Sequence, residues 1–244
     1  MLLVPQWPAP AQVRSACSTR AGGVSAAPYD TLNLGDHVGD GEEAVAENRR
    51  RYEQALGARP VFLKQVHGTD VVRLDAATAH GTEADACWTS ERGLACTMMV
   101  ADCMPVLLAD SAGTRVGAAH CGWRGLAHGV LEALHARMET APENTLAWLG
   151  PCIGPEAFEV GSDVRDAFAV HDAGAADCFR AHGQGKFLAD LPALARRRLA
   201  ALGITQVHGN DGTREWCTVA NASRFFSHRR DRVSGRLAAS IWLG

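Results

Sequence analysis

Short apolar runs of strand length occur at Val61–Leu63, Val71–Leu74, Leu94–Val100, Val106–Ala109, Val116–Ala119 and Leu146–Leu149. They alternate with segments whose apolar residues recur at helical spacing, and this alternation predicts a mixed α/β fold. Helices are predicted over Glu42–Leu56, Gly125–Met138, Val164–Phe168 and Leu188–Leu202. The last carries Asp190 and Pro192 near its start and Gly203 past its end, the arrangement that starts and stops a helix. The stretch Thr19–Asp40 follows neither period and is rich in Gly, Asp and Asn, so it reads as a long ordered loop. Gly22 and Gly23 suit backbone turns with positive φ or close approach to a ligand there. Loops of this length inside a compact domain are uncommon, and they serve either function or connection.

Composition narrows the class. Of 244 residues, 47% are hydrophobic and 21% charged, as in an ordinary globular protein. With 24 Lys and Arg against 27 Asp and Glu the net charge is −3, and no long basic run is present. The electrostatic footprint of a nucleic-acid or polybasic membrane binder is therefore missing, and small-molecule chemistry is favoured. No repeat, low-complexity linker or composition break divides the chain, so a single domain over residues 1–244 is expected. Met1–Val13 lacks Lys and Arg and carries Pro5, Pro8 and Pro10, which does not fit a signal peptide. The most apolar stretch, Leu94–Ala109, is interrupted by Asp102 and Pro105 and is too short to cross a bilayer of about 30 Å. A cytoplasmic location follows as the expectation, with the 8 cysteines as free thiols lacking any Cys-x-x-Cys spacing.

Candidate chemistry concentrates in Met99–Gly125. Cys103 follows one apolar run and His120 ends another, while Pro105 favours extended backbone just before it and so places Cys103 at a turn. Each alone is as well explained by a buried thiol or a core histidine. Gly122 and Gly125 open the next helical segment, where amide groups can receive an anion and Arg124 can add charge. The alternative there is a plain strand-to-helix turn with a solvated arginine. His67 lies in LKQVHGTDVV between two apolar runs, after Lys64 and Gln65. The spacing of His67, Cys103 and His120 says little, but imidazole and thiolate together form a good zinc set. Three protein ligands leave one position for water, whose pKa falls towards about 7. Asp102 is the carboxylate nearest in sequence for orienting that water or moving protons.

Several blocks taken together resemble the YfiH family: TRAGGVSAAPYDTLNLGDHVGD, LKQVHGTDV, ADCMPVLLAD, AAHCGWRGLAHGV, WLGPCIGPEAFEVG and FFSHRRDRVSGR. Members of this family have been described as laccase-like polyphenol oxidoreductases, purine nucleoside phosphorylases and peptidoglycan editing factor. The resemblance runs from about Thr19 to Trp242. It implies one layered α/β sandwich of mixed sheets flanked by helices, akin to the cysteine-hydrolase-like fold of cytotoxic necrotizing factor. It also implies a zinc site at His67, Cys103 and His120. The implied reaction is phosphorolysis of adenosine, inosine, guanosine and methylthioadenosine, with adenosine deamination beside it. The implied partners are therefore a purine nucleoside and phosphate. An editing role would remove mis-incorporated L-Ser from a nucleotide-linked muramyl precursor (UDP-MurNAc).

Arg20, in the retained TRAGGVS motif, is expected to bind phosphate with help from Lys64 and Arg124; the alternative is an ion pair that pins the loop. Asn33 in the same loop and Gln65 are expected at the substrate. One departure from the family pattern is His228, where its SYRRD block carries an aromatic. Two other enzyme classes use the same residues: a metal-free hydrolase with Cys103 as nucleophile and His120 as base, and a copper polyphenol oxidase. The oxidase needs a further His-rich copper cluster, and the 10 histidines include no His-x-His pair. A non-enzymatic metabolite-binding module would bind ligand without turnover.

Overall fold

The strand Leu94–Val100 is buried along its whole length, and the two cores it faces define the architecture. Leu94, Cys96 and Met98 point into one core, while Ala95 and Met99 point into another, as the two-residue period of a strand requires. The computed structural model, which describes residues 2–244, places this strand in a five-stranded sheet. Its spatial order is Leu2–Leu3, Val13–Ser18, Leu237–Leu243, Leu94–Val100 and Arg59–Phe62. A six-stranded sheet packs against it, in the order Gln206–Gly209, Thr145–Leu149, Met104–Asp110, Val116–Cys121, Ala86–Thr89 and Val71–Arg73.

Between the sheets lie Val13, Val61, Cys96 and Ile241 from the first, and Leu107, Ala109, Val116, Ala118 and Trp148 from the second. On the outer face of the five-stranded sheet, helix Glu42–Leu56 packs through Tyr52 and Leu56 onto Phe62, Ala95 and Trp242. On the outer face of the six-stranded sheet, helices Val130–Met138 and Leu191–Ala201 cover Val106, Leu108 and Ala147. The layers are helix, sheet, sheet, helices, in one domain of mixed parallel and antiparallel pairing. This is the layered α/β sandwich expected. No described helix is long and apolar enough to cross a membrane.

Helix Glu42–Leu56 coincides with its expected span. Glu42 and Glu43 meet the positive end of its dipole, and Gly57, at φ 66°, closes it. The expected helix Gly125–Met138 is two helices, Trp123–His128 and Val130–Met138, because Gly129 between them takes φ 96°. The expected helix Leu188–Leu202 begins at Leu191, where the Asp190 carboxylate accepts the N–H of Ala193. Leu188 and Ala189 instead join a three-stranded sheet, pairing with Arg180 and Phe179. The helix expected at Val164–Phe168 extends to Ser162–Ala169.

The long loop is ordered by a buried hub. Asn48, on the first helix, accepts the N–H of Val24 and donates to Ser25 Oγ, Thr31 O and Asn33 O. Gly23 passes so close that a Cβ there would stand 2.2 Å from the Thr31 carbonyl, and Gly22 has φ 103°. Gly22 takes the positive φ expected of a turn, and Gly23 is required by the approach of the chain's own Thr31 carbonyl.

Candidate active site

Strand Val116–Cys121 carries alternate side chains to opposite faces. Val116 and Ala118 enter the core between the sheets, and Ala119 and Cys121 enter the core beneath the helices. His120 follows the first series and emerges where the two sheets end. Cys103 sits on the turn between strands Leu94–Val100 and Met104–Asp110, and His67 sits on the turn after Leu63 at φ 62°. Distant in sequence, the three meet: His67 Nε2 lies 3.7 Å from Cys103 Sγ, and the two imidazole rings are 4.8 Å apart at 64°.

One carboxylate organises both histidines. Asp85 is fully buried; it stands 2.8 Å from His120 Nδ1, and it accepts the backbone N–H groups of Val66, His67 and Gly68 at 3.0, 2.9 and 2.7 Å. Burial alone would raise its pKa, but the bond to His120 and these amides hold it below the usual carboxylate value. With Nδ1 engaged, His120 presents Nε2 to the site. Burial likewise opposes ionisation of Cys103, yet the His120 charge and hydrogen bonds from both histidines bring its thiol down to about 6. Burial disfavours the positive charge of His120, but the Cys103 thiolate and Asp85 raise its pKa to about 9.

The donor atoms of His67, Cys103 and His120 all lie within 4.8 Å of one another, and among the described residues they form the one such group of three or more metal-ligating side chains. Tetrahedral zinc at about 2.0–2.3 Å from N and S ligands separates its donors by roughly 3.5 Å, which the cluster fits. Gly122 makes room for it: a Cβ there would stand 2.9 Å from both Cys103 Sγ and His67 Cδ2.

The cluster borders a cavity of about 420 Å³, a size that suits a small molecule. Trp123, Ile153, Phe158 and Leu191 form apolar wall, while His37, His228, Arg229 and Arg236 add cationic and polar groups. The three-ligand group and Asp102 border this space. Both oxygens of Asp102 are taken, by Thr218 Oγ and by the Arg229 N–H, each at 2.6 Å, and its backbone has φ 93°. Asp102 therefore fixes the Cys103 turn to the C-terminal segment. Gln65 also lines the cavity, but its amide is spent on the N–H and C=O of Met99, both at 2.8 Å.

The expected anion-binding residues lie elsewhere. Arg20 donates to the carbonyls of Asp30 and Ala222 and pairs with the Asp30 carboxylate at 3.1 Å, so it pins the loop. Lys64 pairs with Glu83 at 2.9 Å, and Arg124 stacks over the Trp123 ring at 4.4 Å; neither borders the cavity. The helix opened by Gly122 is only 6 residues long. Asn33 is buried, bonding Gly35, Asp40 and the Arg236 N–H. Asp85 and Arg236 were missed by sequence reasoning. The first gives no local signal, since its partners come from two other segments, and the second is placed by the distant Asn33–Gly35 loop. His228, the one departure in its block, does border the cavity. All 8 cysteines are free thiols, as expected.

Comparison with known proteins decides the family. Residues 14–244 match the family described as multi-copper polyphenol oxidoreductase laccase. The chain is 51% identical over 244 residues to purine nucleoside phosphorylase YfiH of Escherichia coli, covering 99% of this chain and 98% of that protein. The chain belongs to the YfiH family. A purine nucleoside phosphorylase of Pseudomonas aeruginosa is 51% identical over 242 residues, with 99% and 98% coverage. Within the family, a crystal structure from Neisseria meningitidis superposes with TM-score 0.95 at 49% identity, covering 99% of this chain and 98% of that one. YfiH of Bacillus licheniformis does so with TM-score 0.88 at 30% identity, covering 96% and 93%.

Proposed function

We propose that this protein is a zinc-dependent purine nucleoside phosphorylase, taking adenosine, inosine, guanosine and methylthioadenosine, with adenosine deamination as a second reaction. The observation that carries this reading is the convergence of His67, Cys103 and His120 at a cavity that has an apolar wall and cationic groups. The nucleoside phosphorylases among the relatives support it. Phosphorolysis joins a phosphate oxygen to ribose C1′ and breaks the C1′–N9 bond, whose electron pair leaves with the purine before the base takes a proton. The flat base suits the wall of Trp123, Ile153 and Phe158, and the phosphate suits the cationic groups. His67, Cys103 and His120 would hold zinc. Bound there, the metal supplies a Lewis acid and lowers the pKa of water at its open position, as deamination needs. Asp85 keeps His120 in the tautomer that presents Nε2.

The copper-oxidase reading is weakened because the described residues offer a single ligand cluster, whereas multicopper chemistry needs a second, His-rich one. The metal-free hydrolase reading keeps one favourable observation, the low thiol pKa of Cys103 beside His120. It would suit amide cleavage in the editing of a nucleotide-linked muramyl precursor. Metal content separates the readings. The deciding assay couples release of free base from inosine to a chromogenic oxidase, with and without phosphate. Release that requires phosphate and yields ribose 1-phosphate supports the proposal. Equal release without phosphate, giving free ribose, replaces it with hydrolysis, and copper in a multinuclear ratio would favour the oxidase.

A further inference from the structure

Two arginines border the cavity, and Arg236 keeps most of its donors unspent. Its Nη1 donates to the carbonyls of Ser234 and Gly235 at 2.9 and 3.2 Å. Its Nε and Nη2 have no protein acceptor, and it forms no ion pair among the described residues. The other arginines with a proposed anion role are satisfied already: Arg20 by Asp30, with Arg124 lying outside the cavity. Arg229, which does border it, also turns only Nη1 to carbonyls, those of Ala157 and Glu159, but its guanidinium lies over the Phe158 ring, 5.7 Å from the centroid. A half-buried guanidinium facing a cavity with donors to spare needs an acceptor from outside the chain.

The long N-terminal loop holds the backbone of this residue and leaves a path for its stem. Asn33 Oδ1 accepts the backbone N–H of Arg236 at 2.8 Å, and the Leu34 N–H donates to the Arg236 carbonyl at 3.1 Å. Gly35 gives the stem its path, since a Cβ there would stand 2.7 Å from Arg236 Cγ. Arg236 lines the same cavity as Asp102, Cys103 and His120.

We infer that Arg236 is the oxyanion-binding residue of the site, gripping phosphate through its free Nε and Nη2, with Asn33 and Gly35 as its positioning residues. The inference rests on the phosphorylase reading for its cellular ligand. The chemistry itself is a forked contact to a phosphate group, free or carried on a nucleotide.

The test uses the zinc-loaded enzyme and the variants Arg236→Met, Arg236→Lys and Gly35→Ala. Arg236→Met should raise the KM for phosphate about 10- to 100-fold, the loss of one or two charge-assisted hydrogen bonds. The KM for inosine and the zinc content should stay within about twofold, which a general loss of structure would not allow. Arg236→Lys should recover part of the loss, having the charge without the fork. Gly35→Ala, which keeps the arginine and pushes it aside, should also weaken phosphate. Calorimetric titration with inorganic phosphate and, separately, with uridine diphosphate reads the same site without turnover. If the wild type shows no phosphate-dependent base release but binds uridine diphosphate through Arg236, the phosphorylase reading fails and the oxyanion site stands, with a nucleotide as its source. Unchanged phosphate KM in Arg236→Met with zinc retained, or equal binding of both anions by variant and wild type, overturns the inference.

Discussion

His120 Nδ1 and Asp85 Oδ1 lie 2.8 Å apart, and the Asp85 carboxylate that fixes this ring also accepts three amides from the turn that carries His67. A ligand on a turn and a ligand on a strand are thus referred to a single buried group. Replacing Asp85 by Asn leaves a similar volume but puts an N–H₂ where acceptors are needed. Zinc affinity should fall about 10- to 100-fold, as for loss of an outer-shell carboxylate. The folded state should lose about 2 kcal/mol or more, because buried amides are left without a good acceptor. The sign with pH follows from the lowered Asp85 pKa. Its stabilisation is present above the ordinary carboxylate range and is lost as pH falls through the folded value. The stability gap between wild type and Asp85→Asn, read by urea unfolding, should therefore narrow from pH 7 towards pH 3. A gap that widened on acidification would refute the assignment.

Cys103 should be a thiolate at neutral pH in metal-free protein, because its thiol is drawn down to about 6. Burial pushes the Cys17 thiol up to about 12, so that group stays protonated. Iodoacetamide should then label Cys103 first, with a rate rising through a midpoint about pH 6. His120→Ala should move that midpoint upward, since the imidazolium is the main stabiliser of the thiolate. Peptide mapping of the labelled protein checks this, and a midpoint near the ordinary thiol value would show that the pair does not interact as described.

Cys103 and Cys121 are predicted to behave oppositely although both belong to the ADC to HCG region. Cys121 is fully buried in the core beneath the helices, among Met104, Ala119 and Leu126, and burial raises its thiol well above the usual value. Cys103→Ala should lose zinc and turnover while keeping the fold, because the layered core does not depend on the metal. Cys121→Ala should keep zinc and activity and cost of order 1 kcal/mol. Metal analysis and thermal melting of the pair settle the matter; zinc lost from Cys121→Ala and kept by Cys103→Ala would reverse the ligand assignment.

How far the site was legible in the sequence depends on where each residue's partners come from. Cys103 and His120 were found because each stands at the edge of an apolar run whose period is local. The strand Leu94–Val100 and the helix Glu42–Leu56 were found for the same reason. Leu188 and Ala189 looked helical because their own apolar pattern continues into the helix, and only pairing with Phe179 and Arg180 makes them strand. Strand Leu237–Leu243 is buried on both faces by sheets and helix, so it has no alternation to reveal it. Asp85 and Arg236 were invisible for a stronger reason: the groups that give them meaning lie 17 to 35 residues away in one case and about 200 in the other.

Gly122 supplies the most direct test of the ligand geometry. Its φ of −67° is open to any residue, so alanine there adds no backbone strain, only a methyl group 2.9 Å from Cys103 Sγ and from His67 Cδ2. Contacts that short force both ligand side chains to move, and a displacement of about 0.5 Å is enough to spoil a metal site. Gly68→Ala is the matched control, because its added Cβ would meet the Asp85 carboxylate at an ordinary 3.5 Å. Gly122→Ala should therefore bind zinc at least about tenfold more weakly, while its metal-free melting temperature stays within a few degrees of wild type. Gly68→Ala should bind zinc as the wild type does. Competition against a chromogenic chelator gives both affinities, and a Gly122→Ala protein with undiminished affinity would mean that zinc is not held between His67 and Cys103.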